Sequence, residues 1–191
     1  MDQHFLIAGG KLLKGSVKIS GAKNAALKSI AASILFKDGL KIANLPLVED
    51  VHRMLEIIKD LGAKVILKNN TVSIEINAGT KTELNKEIAK KIRASIVLAG
   101  PLLARFGSVS FPYPGGCVIG KRPVDLFLDG WTSLGANVQE NNDGFRITAK
   151  KMRGSKFTFK NISVTGTETM MLTAAIIKGV TVLKNAALEP E

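Results

Sequence analysis

"VHRMLEIIKDLGAKV" (51–65) and "VDLFLDGWTSLGANV" (124–138) follow one template. Val51 matches Val124, Leu61 matches Leu134 and the Leu-Gly-Ala triplets coincide, all at a spacing of 73, and the match runs on to pair Ile74 with Ile147. Self-similarity at a fixed period marks a repeated structural unit. Apolar residues at helical spacing predict a helix over 50–61, then a Gly turn, then alternating strands near 64–68 and 71–76. The second copy predicts a helix near 123–134 and strands near 137–140 and 144–149. Asn69-Asn70 and Asn142-Asp143-Gly144 supply the hairpin turns.

Upstream, "NAALKSIAASILFKDG" (24–39) resembles "RASIVLAGPLLARFG" (93–107) at a spacing of 68, pairing Ala31 with Ala99, Leu35 with Leu103 and Gly39 with Gly107. Both read as buried helices rich in small residues, ended by Gly and followed by strands near 40–43 and 108–111. The change from 68 to 73 puts about five extra residues between Gly107 and Val124. They fall in "YPGGCVIGKRP" (113–123), which holds the only cysteine. A third copy begins at "SVTGTETMMLTAAIIKGVTVLKN" (163–185), read as a strand ending in Gly166, a helix over 167–178 and a strand over 180–183. The first two copies take roughly 70 residues each and the third about 35, so a fragment, or one domain of a longer enzyme, is expected. The predicted class is α/β; buried helices with sheets outside them fit the repeated units, an arrangement that periodicity alone does not fix.

The 191 residues are 46% apolar and 23% charged, ordinary for a globular protein. One cysteine rules out an internal disulfide, and His4 and His52 lie in no ligand spacing, so no metal is expected; the dinucleotide GxGxxG fingerprint is absent, and no cofactor is expected. The N-terminus lacks the pattern of a signal peptide, and the apolar run 94–104 is much shorter than the roughly 18–20 residues that cross a bilayer. A cytoplasmic protein without a membrane partner is the expectation. The net charge of +11 is spread over scattered lysines with one Trp and one Tyr, which argues against nucleic acid and leaves a small phosphorylated substrate.

Four stretches carry candidate chemistry. In "ISGAKNAAL" (19–27), Lys23 and Asn24 open a helix whose first N–H groups favour an anion; the alternative is an Asn cap beside an exposed lysine. Arg93 holds the related edge of the second buried helix, either as a second cation toward the same cleft or merely solvating the helix end. Arg105 reads as structural. Cys117 follows Gly115 and Gly116 and precedes Lys121 and Arg122, whose charges would lower a thiol's pKa and attract an anionic ligand; an incidental loop cysteine is the other reading. No histidine is near it for a Cys/His pair. In "RPVDL" (122–126), Arg122, Pro123, Val124, Asp125 and Leu126 make either ordinary helix-start chemistry or a surface for a base or sugar edge. In "NISVTGTE" (161–168), read as a strand running into a turn, Ser163 and Thr165 serve as caps or as ligand contacts.

Together, "SGAKNAAL", "RASIVLAGPLLARFG", "PGGCVIGKRPVDL", "LGANV", "SVTGTETMMLTAA" and "NAALEPE" resemble the amino-terminal half of the UDP-N-acetylglucosamine 1-carboxyvinyltransferases, a branch of the enolpyruvyl transferase (EPSP synthase-like) family. The shikimate-pathway branch shares the repeats but lacks the PGGC signature. The resemblance implies an inside-out α/β fold of two domains with the active site between them. It also implies transfer of the enolpyruvyl group of phosphoenolpyruvate to the 3'-hydroxyl of UDP-N-acetylglucosamine, in the first committed step of peptidoglycan synthesis. Residues 1–20 would associate with the second domain, and 21–191 would form the first domain, truncated in its third repeat. By resemblance, Lys23, Asn24 and Arg122 contact phosphoenolpyruvate. Arg93, the stretch from Arg122 to Leu126, and Asn161, Ile162, Ser163 and Val164 contact the UDP-sugar. Cys117 is the general acid and the target of fosfomycin.

Two positions depart from the family pattern: Lys28 stands where a proline is usual, and Phe127 where a histidine is usual. The base for the sugar hydroxyl and further arginines belong to the second domain, so this chain alone is expected to show little activity. A noncatalytic nucleotide-sugar binding module is the alternative class.

Overall fold

A computed structural model describes residues 4–113 and 124–189. The first unit runs α1 (Lys23–Ala32) into a 3₁₀ turn (Ser33–Leu35), β1 (Leu40–Ile42), α2 (Glu49–Asp60) and the hairpin β2 (Lys64–Lys68) and β3 (Thr71–Glu75). After α3 (Lys86–Ala89), a single turn capped by the Asn85 side chain that no periodicity announced, the second unit opens with a 3₁₀ segment (Arg93–Leu98). It continues through α4 (Ala99–Phe106), β4 (Ser108–Pro112), α5 (Asp125–Ser133), β5 (Asn137–Asn141) and β6 (Gly144–Thr148). The third comprises β7 (Lys156–Thr158), α6 (Val164–Ala174) and β8 (Val182–Lys184).

The repeat is visible in the register. β1-β3-β2 and β4-β6-β5 are matching antiparallel sheets, in which Val65 faces Ile74 and Val138 faces Ile147, preserving the spacing of 73. Gly39 and Gly107 turn from helix to strand at φ +81° and +76°, a conformation open to glycine. Beyond them the spacing of 68 gives way to 69: Leu40 faces Ile74, but Val109, not Ser108, faces Ile147. The slip keeps Val109 and Phe111 buried; at 68, the inward positions would fall to Ser108 and Ser110. β7 and β8 pair in parallel, an arrangement that Glu83 and Ser110 repeat as an isolated bridge beside β4.

Two predicted elements are corrected. The run 93–107 is not one helix, because Pro101 cannot donate to the carbonyl four residues back, and a 3₁₀ segment precedes α4. Residues 161–163 are not a strand, and the third helix is not 167–178 but α6. It starts at Val164, after Ser163, whose hydroxyl accepts the Gly166 N–H at 3.1 Å. Gly166 therefore lies inside a helix, where a Cβ would collide with Leu126; it permits close packing instead of making a turn.

The helices lie inside and the sheets outside. α4 runs against α6, α1 carries α2, and α6 carries α5, while β3 and β6 turn Val72, Ile74, Phe145 and Ile147 inward. At the centre, the Trp131 indole N–H donates to Thr173 Oγ1 at 3.1 Å, and that hydroxyl donates to the Thr169 carbonyl at 2.7 Å, so the indole and the Thr173 hydroxyl are both satisfied. Arg105 joins the first two units as a structural residue. Its guanidinium donates to the carbonyls of Ile34 (2.6 Å), Phe36 (3.0 Å) and Ile76 (3.1 Å). Residues 4–20 form neither helix nor strand, and Phe5, Leu6, Ile7, Leu12 and Leu13 are exposed. Among the described residues no helix is long and apolar enough to cross a membrane.

A methyl group at Gly100 would collide with the Thr173 hydroxyl and press on Thr169. Gly100→Ala is expected to lower stability by about 1–3 kcal/mol in urea unfolding, as overpacking does. Gly79→Ala, with open space at that position, is the control expected to change little.

Candidate active site

The inner helices begin at one end of the molecule, and that end is a cleft of about 630 Å³. Lys23 and Asn24 line it from the first turn of α1, Arg93 and Ala94 from the start of the 3₁₀ segment, and Ser163 and Thr165 from the start of α6. Ala22 and Ile92, which precede the first two, offer no side-chain cap, so the opening N–H groups of both segments retain their donor capacity. Aligned peptide dipoles place partial positive charge at such ends, and Lys23 and Arg93 add full charges. Asn24 is not the helix cap that its residue type allowed.

Each predicted residue can now be located. Leu126 lines the cleft from α5, with Asn161 and Ile162 from the segment before α6. Val124 caps α5 and packs half-buried against the core, Asp125 is exposed as its first residue, and Val164 borders a smaller cavity instead. Cys117, Arg122 and Pro123 lie outside the described residues. Phe127 lines the cleft wall and packs on Trp131, ring centroids 6.0 Å apart, so the departure from histidine extends the apolar core to the cleft.

Three charged residues of the cleft escaped sequence reading, Asp50, Lys90 and Lys91, and Lys28, noted there only as a departure from the family pattern, lines it too. Asp50 lies in the first turn of α2, and its Oδ2 holds Lys23 Nζ at 2.7 Å. That pair is half-exposed, at 51% and 41%, so water screens it and an incoming anion competes for the ammonium. Lys90 and Lys91 reach the cleft because α3 turns the chain just before Arg93. At the edge of the second sheet, the Tyr113 hydroxyl lies 2.5 Å from Glu140 Oε1 and its ring packs edge-on to Phe145; the hydrogen bond to Glu140 raises the phenol's pKa. The hairpin end nearby carries Asp143, held below the usual carboxylate range by its hydrogen bond to Lys86.

A sequence model of EPSP synthase (3-phosphoshikimate 1-carboxyvinyltransferase) matches residues 7–191. The chain belongs to the EPSP synthase family. Within it, the UDP-N-acetylglucosamine 1-carboxyvinyltransferase of Campylobacter hominis is 45% identical over 97% of this chain, and enzyme 1 of that name from Carboxydothermus hydrogenoformans is 44% identical over 99%. The alignments cover 44% and 45% of those relatives, so this EPSP synthase family chain spans a little under half their length. The fold is that of the enolpyruvyl transferase NikO from Streptomyces tendae (TM-score 0.80, 22% identity, 95% of this chain and 43% of that one). It is also that of an EPSP synthase from Acinetobacter baumannii (TM-score 0.70, 20% identity, 96% and 42%).

Two measurements check the site. Lys23→Met is expected to weaken inorganic phosphate binding about tenfold in calorimetric titration, the loss of one charge-assisted contact, whereas Lys11→Met, on the exposed N-terminal stretch, leaves it unchanged. Tyr113, the only tyrosine, is expected to ionise above the ordinary range near 10 in an ultraviolet absorbance titration. Its folded-state pKa is raised, so its contribution to stability is present below the ordinary range and lost as pH rises through the raised value.

Proposed function

We propose that the full-length polypeptide transfers the enolpyruvyl group of phosphoenolpyruvate to the 3'-hydroxyl of UDP-N-acetylglucosamine and releases phosphate, as the first committed step of cytoplasmic peptidoglycan precursor synthesis. The observation that carries the reading is the convergence of Lys23, Asn24 and Arg93 at uncapped helical N-termini in one cleft, with Asn161 to Ser163 opposite. Both substrates carry phosphate, and such an end supplies fixed donors and cations without reorganisation. The names of the relatives at 44–45% identity supply the substrate class.

In this reading Lys23 and Asn24 hold the phosphate of phosphoenolpyruvate, joined by Arg122. Arg93, the Pro123 to Leu126 stretch and Asn161 to Val164 receive the UDP-sugar. Cys117 gives its proton to the methylene carbon while the sugar oxygen bonds to the neighbouring carbon. Loss of phosphate, together with a proton from the new methyl group, then restores the double bond as an enol ether. Proton delivery demands direct reach and exclusion of bulk water. Residues 21–191 form most of the first domain, and the exposed apolar side chains of 4–20 pack against the second, which brings the base for the sugar hydroxyl and further arginines.

In the full-length protein, Cys117→Asp is expected to keep turnover and lose sensitivity to fosfomycin, and full activity in Cys117→Ala would remove the acid assignment. Residues 1–191 alone are expected to turn over little or no substrate in a phosphate-release assay, though they bind UDP-N-acetylglucosamine weakly.

A further inference from the structure

Five basic side chains line the cleft, Lys23, Lys28, Lys90, Lys91 and Arg93, and among the described residues Asp50 is the only acid that does. An acid weakens an anion site by its charge, so its presence there calls for a reason, and Lys23 supplies one. Lys23 is the first residue of α1, at the end of a helix where the peptide dipoles disfavour a cation, and it shares the cleft with four other basic residues. A long, flexible ammonium side chain in that field, left to itself, swings out to water. Asp50 stands in the opposite situation: it lies in the first turn of α2, the end that favours an acid, and its stem is short. A side chain fixed where it sits thus holds one that is not, Oδ2 to Nζ at 2.7 Å, across 27 positions of sequence. The backbone sets the two helix starts side by side. Gly21, two residues before α1, lies so close to the chain leading into α2 that a Cβ would collide with the Asn44 carbonyl and press on Pro46. The neighbouring acid, Glu49, is turned to Arg53 of its own helix, Oε1 to Nε at 2.8 Å.

We propose that Asp50 is a positioning residue for Lys23: it fixes the ammonium at the start of α1, so that a phosphate-bearing ligand meets a cation already in place, and its net effect on anion binding is favourable despite its charge. An ammonium has three donors, and one suffices for Asp50. A ligand that competes for the ammonium therefore need not displace the carboxylate. Two effects of Asp50 oppose each other. Its repulsion of a bound anion acts at a half-exposed site, where water weakens it. The ordering of a rotamer-rich lysine before the ligand arrives is not weakened by water, and a ligand that had to impose that order itself would bind less tightly. The second effect outweighs the first.

The inference rests on the cleft being an anion site, and calorimetric titration of the 191-residue chain with inorganic phosphate at near-physiological ionic strength separates the two ideas. Asp50→Asn is expected to weaken phosphate binding about three- to tenfold, and Asp50→Glu, which keeps the charge, to restore part of the loss. The loss should vanish where Lys23 is absent: Lys23→Met and Lys23→Met/Asp50→Asn are expected to bind phosphate alike, the non-additivity of a residue that acts through another. A carboxylate that only competes with ligands predicts tighter binding in Asp50→Asn, and that result, or no change, overturns the proposal. A loss that persists in the Lys23→Met background overturns it as well, since Asp50 would then act through the start of α2 and not through Lys23. Should Asp50→Asn not fold, Asp50→Ser, which also suits a helix start, carries the same expectation. If the unsubstituted chain binds no phosphate while keeping its native circular dichroism, the anion-site reading fails first, and this inference with it. If it binds phosphate, and Lys23→Met weakens binding where Asp50→Asn does not, the inference alone fails.

Discussion

The contact of α4 with α6 at Gly100 governs the architecture. Two helices approach to the point where a methyl group has no room, and the Thr169 and Thr173 hydroxyl side chains occupy the seam. Small residues on α1 and α4 permit the same economy of space elsewhere in the interior, which is why helices fill the centre and sheets are left to cover them. In most α/β proteins the sheet is the buried layer and the helices shield it. Here the order is inverted, and the chemical consequence lies at the helix ends. Segments packed side by side in the centre present their first-turn donors to one place.

The excess of basic residues takes on a graded meaning in that setting. Most lysines are solvated and apart from the cleft. Two of those that line it are paired in different surroundings: Lys23–Asp50 at 2.7 Å is half-exposed and screened by water, whereas Lys28–Glu168 at 3.0 Å is shielded. A count of cations therefore overstates the field that a ligand meets.

Much of the fold was legible because the chain writes its unit twice. Val65 opposite Ile74 and Val138 opposite Ile147 follow from a spacing visible in sequence, and so do the turning glycines Gly39 and Gly107. What escaped had no periodic signature. Gly166 has the composition of a turn and the role of a packing contact, which only the neighbouring Leu126 reveals. The change from 68 to 69 between Gly107 and Val109 is decided by which side chains reach the core, information held by β6 and not by β4. Lys23 and Arg93 line one cleft, as their related places in the repeat suggested, and Asn24, Leu126 and Asn161 to Ser163 line it as well. Asp50, Lys90 and Lys91 join them through tertiary packing, and no local pattern distinguishes them from solvated surface.

Arg105 shows how far the repeated units are from being independent parts. Its guanidinium, which belongs to the second unit, satisfies three carbonyls of the first, at the end of the inner helix and beyond β3. A first unit cut out and folded by itself would leave those three acceptors without this donor. The repeat is thus a rhythm of sequence whose units share contacts across their boundaries. Shuffling, excision or circular rearrangement at unit boundaries would have to carry this arginine's partner carbonyls along with it.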